Sequence, residues 1–221
     1  MYNLNIIYED NHIIVVDKIA GVLSQSDDSN DMDMLTLVKR YIKEKYNKPG
    51  EVFLGLVHRL DTVTSGVMVF ARTSKSASRL SEQIRQNNMK KTYLAVFEEE
   101  IKQKRGNYTD YLLKDSKKNI VTVTKDKNKG KIAVLNYEVL NINNGRTLAK
   151  IELITGRSHQ IRVQFSSRGY HIYGDAKYGA KNKEKKAIAL HSYELSFIHP
   201  TKKEEMTFIC EPKRYPFDEM I

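Results

Sequence analysis

Cysteine occurs once in the 221 residues, at Cys210, so the chain can form no internal disulfide and a reducing compartment is its natural setting. No apolar run approaches the roughly 18 residues of a membrane span. The N-terminus lacks the basic-then-apolar layout of a signal peptide, so a cytoplasmic protein away from membranes is expected. The six histidines fall in no metal-binding spacing: there is no His-Glu-x-x-His and no cysteine pair. A Walker-type Gly-Lys-Ser/Thr loop is also missing, and the expectation is neither metal nor nucleotide cofactor. The acid-rich stretch 24–33 is no calcium loop, because Met32 follows Asp31 where a sharp turn needs glycine and Val38 stands where the bidentate Glu should be. Internal repeats and long linkers are absent too.

What is present is a chain 40% hydrophobic, enough for one large domain or two intimately packed halves. Its 37 basic and 27 acidic residues leave a net charge of +10. Such an excess points to a polyanion, with nucleic acid ahead of an anionic membrane, although a merely soluble basic protein has the same balance. Basic stretches at Lys114–Lys118, Lys125–Lys131 and Lys181–Lys186 fit loops that grip phosphates or simply meet water.

Apolar periodicity places strands at Ile6–Tyr8 and His12–Val16, then helices over about 34–46 and 74–87, the second capped by Thr73 or Ser74. From Lys90 the period changes to strands at 91–97, 108–113, 119–124, 131–140 and 146–154. A short helix carries Ile161 and Phe165 on one face, and strands follow near 187–191, 193–198 and 205–210. Many strands with few, irregularly placed helices predict an α+β fold with a mostly antiparallel sheet.

The most informative run is His58-Arg59-Leu60-Asp61-Thr62-Val63-Thr64-Ser65-Gly66, flanked by the apolar runs Val52–Val57 and Val67–Ala71. A turn between buried strands holds a side chain at a sheet edge, as a nucleophilic or basic carboxylate requires. From this local pattern alone, an aspartate that caps its own turn is the commoner meaning.

The run resembles the signature of the RluA-type pseudouridine synthases, which isomerise uridine within RNA. Three more segments follow the family's order. Tyr8–Gly21 resembles its opening motif, and Lys91-Thr92-Tyr93-Leu94-Ala95-Val96 its Lys-x-Tyr-x-Ala segment. Thr155–Val163, leading to Gly174-Asp175 and Tyr178-Gly179, resembles its last long motif. The tail from Leu190-His191 to His199-Pro200 fits as well. One departure is Ile19, where the family usually has proline, which removes a turn constraint but no chemical group.

The resemblance implies a long, bent, mixed and mostly antiparallel sheet flanked by helices, with a central catalytic cleft. It further implies one catalytic domain over 1–221, without the N-terminal S4 domain of some relatives. A monomer is expected, acting on RNA, ribosomal or transfer. Residue by residue, Asp61 resembles the catalytic aspartate. Whether it would attack C1′ or the base, or work through a glycal, stays open. Tyr93 resembles the active-site tyrosine, able to stack on a flipped uracil and to take the C5 proton. Arg162 resembles the arginine that pairs with the catalytic aspartate through its planar fork. Ile161 matches the apolar residue that packs on the base, and Arg59 a position that helps push the nucleotide out of the stack. Arg157 and His159 suit phosphate contacts or structural hydrogen bonds. Two other functions remain at this point: a non-catalytic RNA-binding module, and a metal-free nuclease using His58 or His159 as base.

Overall fold

The strand and helix periods resolve in a computed structural model that describes residues 4–26 and 32–221, so Asp27 and Asp31 of the acid-rich stretch lie outside the described residues. In chain order the elements are β1 (Asn5–Glu9), β2 (Ile13–Lys18), α1 (Met34–Lys45), β3 (Gly55–Leu56), β4 (Ser65–Ala71), α2 (Ser74–Arg85), β5 (Lys90–Phe97), β6 (Arg105–Asp115), β7 (Ile120–Thr124), β8 (Lys131–Asn143), β9 (Arg146–Leu153), α3 (Gln160–Ser166), β10 (Leu190–Ile198) and β11 (Glu205–Ile209). The architecture is α+β, with mixed, mostly antiparallel sheet structure and three helices. Among the described residues, no helix is long and apolar enough to cross a membrane.

The chain divides into two units, Met1–Met89 with Glu194–Glu211, and Lys90–Tyr193 with Pro212–Ile221. In the first unit β2 lies between β1 and β4, with Ile14 opposite Phe70 and Val16 opposite Met68. Both strands are continuous apolar runs because both of their faces are buried. Helix α2 lays Ala77, Leu80 and Ile84 on a core of Val67, Val69, Leu195 and Phe197. Thr73 caps α2 by accepting from the Ser76 amide. Asp33, the last residue of the acid-rich stretch, caps α1 by accepting from the Thr36 amide at 3.0 Å.

The run Val52–Val57 forms only the two-residue strand β3, paired with the end of β4. There α2 passes so close that a Cβ on Gly55 would stand 2.9 Å from that of Ala77. The Asp61 loop therefore follows a glycine-pinned entry instead of a full strand.

The second unit is an antiparallel sheet in the order β5-β9-β8-β6-β7. Tyr93, Ile151 and Tyr137 face one another across three strands. Helix α3 covers this face, its Phe165 ring 4.4 Å from Phe97, 4.9 Å from Tyr108 and 5.4 Å from Tyr137. The two strands expected near 187–191 and 193–198 are one, β10, because Leu190–Ile198 contains no glycine, proline, asparagine or aspartate to break the extended chain.

Candidate active site

Asp61 opens a turn closed through the main chain, the Thr64 amide donating to the Asp61 carbonyl at 3.0 Å. The opening segment braces this loop from the side. The Gly21 amide donates to the Thr62 carbonyl at 2.8 Å. Ser24 Oγ donates to the Leu60 carbonyl at 2.8 Å and accepts from the Leu60 amide at 3.1 Å. Lys18, 0% exposed at the end of β2, sends its Nζ to the carbonyls of Thr64 (2.8 Å), Thr62 (3.0 Å) and Ile19 (3.2 Å). A neutral amine has only two N–H donors, so three carbonyls call for the ammonium. Burial pulls its pKa from 10.5 down to about 7, and the charges of Asp61 and Asp17 resist that fall. Lys18 and Ser24 are thus parts of the Asp61 loop that sequence reasoning missed. A lysine ending an apolar strand was the available signal.

Replacing Lys18 by methionine strands buried carbonyls, each costing about 1–3 kcal/mol, so the urea midpoint falls. The pH dependence has a definite sign. Between about 7 and 10.5 the folded chain has released the Lys18 proton while the unfolded chain keeps it, so folding stability rises with pH. Unfolding at pH 6 and pH 9 is expected to show the stability of wild type minus Lys18→Met growing with pH, with a limiting slope of about 1.4 kcal/mol per unit. A difference that shrinks with pH would refute the lowering of the Lys18 pKa by burial.

Arg59 is exposed in the same loop. His58 Nε2 accepts from the Val69 amide at 3.0 Å, which spends the lone pair that a neutral imidazole needs as a general base.

The second unit holds the other candidates. Tyr93, on β5, is 7% exposed. Ile161 and Arg162, on α3, are 3% and 5% exposed. The turn before α3 is tied down by Gln160. Its Nε2 donates to the Val134 carbonyl, and its Oε1 accepts from Thr155 Oγ1 and the Arg157 amide. Arg157 sends Nε to the Ile132 carbonyl at 2.8 Å, a structural bond. His159 sits in left-handed backbone at φ 51, a conformation that needs support. Its Nδ1 lies 2.7 Å from the Tyr178 hydroxyl, which itself accepts from the Val121 amide.

Arg162 makes a two-point grip within its own unit. Nε and Nη2 each donate at 2.7 Å to a separate oxygen of Asp175, which is 2% exposed. The Tyr178 ring lies 4.9 Å from the guanidinium carbon. Asp175 and Tyr178 thus orient the arginine, a task not assigned to them from sequence. The sign to look for was a buried arginine's need for a carboxylate close by. The basic stretches 114–118, 125–131 and 181–186 display exposed lysines on the β6–β7 turn, the β7–β8 turn and a loop.

The first unit thus holds a braced aspartate, and the second holds a buried tyrosine on a strand and a carboxylate-held arginine on a short helix. A family model described as RNA pseudouridylate synthase matches residues 12–167, and the chain belongs to that family. Among its relatives is an uncharacterised RNA pseudouridine synthase of Mycoplasma pneumoniae, 36% identical over 94% of this chain and 66% of that one. Another is the ribosomal large subunit pseudouridine synthase C of Buchnera aphidicola, 32% identical over 100% of this chain and 70% of that one. The chain spans about two thirds of the length of the curated relatives it matches. The solved human RNA pseudouridylate synthase domain containing 4 has the same fold, with a TM-score of 0.79 at 23% identity over 96% of this chain and 89% of that one.

Proposed function

We propose that the protein isomerises uridine to pseudouridine within structured RNA in the cytoplasm. Ribosomal RNA is the first candidate substrate and transfer RNA the second. The single observation that carries this reading is the family's loop around Asp61, braced by Lys18, Gly21 and Ser24. The name of the Buchnera relative favours ribosomal RNA. The catalytic domain is taken as residues 1–221, acting as a monomer.

The target nucleotide must first leave its stack, at a cost of a few kcal/mol. The C1′–N1 bond then breaks, the base turns, and C1′ bonds to C5. C5 gives up its proton and N1 gains one, so atoms and electrons balance with no redox partner or energy source. Asp61 serves as the anionic catalyst. Tyr93 stacks on the base and takes the C5 proton, and Ile161 supplies apolar packing. Arg162, fixed by Asp175, is the cation that orients the catalytic carboxylate. Arg59 helps displace the nucleotide, and Arg157 and His159 contribute on the phosphate side.

Release of tritium from RNA labelled at uridine C5 tests the reading, since binding alone releases none and a nuclease shortens the RNA. Tyr93→Phe is expected to bind RNA and lose turnover, while Tyr93→Ala loses both, because stacking is worth about 1–3 kcal/mol per base. Full activity in Tyr93→Phe would confine Tyr93 to stacking.

A further inference from the structure

Lys91 stands two residues before Tyr93 on β5, so both side chains leave the same face of the strand, about 7 Å apart. Phe97 shares that face and packs on Phe165 of α3. The Lys91 side chain is largely withdrawn from water, and this burial alone pulls its ammonium below the ordinary lysine range. Among the described residues no hydrogen bond or ion pair reaches Nζ. Lys18 by contrast has its carbonyls, Arg72 has Glu9 at 2.9 Å, Arg162 has Asp175, and Arg214, also drawn down by burial, donates Nη2 to the Ile188 carbonyl.

Nζ is held over Gly156. A Cβ built there would meet it at 3.1 Å, and among the described residues beyond its chain neighbours nothing else comes within 4 Å of that Cβ. Any side chain at 156 would push the ammonium away, and the turn cannot yield, because Thr155, Arg157 and Gln160 lock it.

A cation drawn partly out of water with no hydrogen-bonded counter-charge is costly, and the cost is recovered when an anion arrives. We propose that Lys91 is a further substrate-binding residue, whose ammonium over Gly156 takes a phosphodiester oxygen belonging to the nucleotide stacked on Tyr93. This rests on the reading of the protein as an RNA pseudouridine synthase. A phosphate fits better than a uracil oxygen, because it carries its full charge before any bond breaks. The distance along β5 also suits the separation of a stacked base from its own phosphate.

Lys91→Met, Lys91→Arg and Gly156→Ala in the full chain decide the matter, with melting curves to show that each folds. The probe is ribosomal RNA transcribed in vitro and labelled at uridine C5, its binding titrated across potassium chloride concentrations. Lys91→Met is expected to lose affinity more than saturated single-turnover rate. Its log–log salt slope should be shallower by about 0.7, the loss of one phosphate contact. Lys91→Arg should keep the wild-type slope, and Gly156→Ala should shift toward Lys91→Met. An unchanged slope overturns the proposal. So does a collapse of the saturated rate at unchanged slope, which would put the ammonium on a uracil oxygen. The binding measurement needs no turnover, so a wild type that released no tritium would sink the reading of the reaction and still leave the slope to decide Lys91.

Discussion

Asp61→Asn is expected to release less than about a hundredth of the wild-type tritium while binding RNA almost unchanged. The exchange keeps shape and removes charge. A loss of this size corresponds to at least about 2.7 kcal/mol in the barrier. The fold should tolerate it, because the turn is closed by the main chain of Asp61 and Thr64 and by the grip of Lys18 on carbonyls, none of which uses the carboxylate. Paired measurement of single-turnover rate and affinity checks this. Activity above that level would remove Asp61 from the chemistry and leave it as a turn residue.

The Arg162–Asp175 pair is expected to show the largest effect on stability together with a large effect on rate. Both partners are buried and joined at two points, so Asp175→Asn removes the carboxylate that grips the buried guanidinium through two hydrogen bonds. Breaking such a pair costs about 3–5 kcal/mol. Arg162→Lys keeps the charge but loses the planar fork and the contact with the Tyr178 ring. If Arg162 positions a reacting group, a small misplacement costs about a hundredfold in rate. Melting temperature and single-turnover tritium release, read side by side, separate the two contributions. An Arg162→Lys enzyme that melts early and turns over normally would make the pair a structural tie alone. The double variant Arg162→Met with Asp175→Asn should be less destabilised than the two single losses summed, since neither charge is then stranded.

Most of this fold could be read from the chain because its patterns are local. The apolar runs of β2 and β4 and the helical spacing of Leu80 and Ile84 report burial directly. The alternation across β8 does the same. Reading failed where the deciding partner was distant. Val52–Val57 has the composition of a strand, yet α2 and the pairing of β4 leave it only Gly55–Leu56. Among the candidate residues, Asp61, Tyr93 and Arg162 stand in recognisable strings of residues. Lys18, Asp175 and Lys91 stand in such strings too, but what they do depends on burial and on what each side chain meets. A carbonyl 44 residues away leaves no mark on the sequence around Lys18.

That contact has a consequence for how the loop can vary. Lys18 grips the carbonyls of Thr62 and Thr64, groups that every amino acid carries. Side chains at 62 and 63 can therefore be exchanged for others of suitable backbone preference while Asp61 stays where it is. Loss of the single cation at 18 would release the loop whatever those side chains are. Tolerance to change is spread over the residues next to Asp61, and fragility is concentrated in one lysine on another strand.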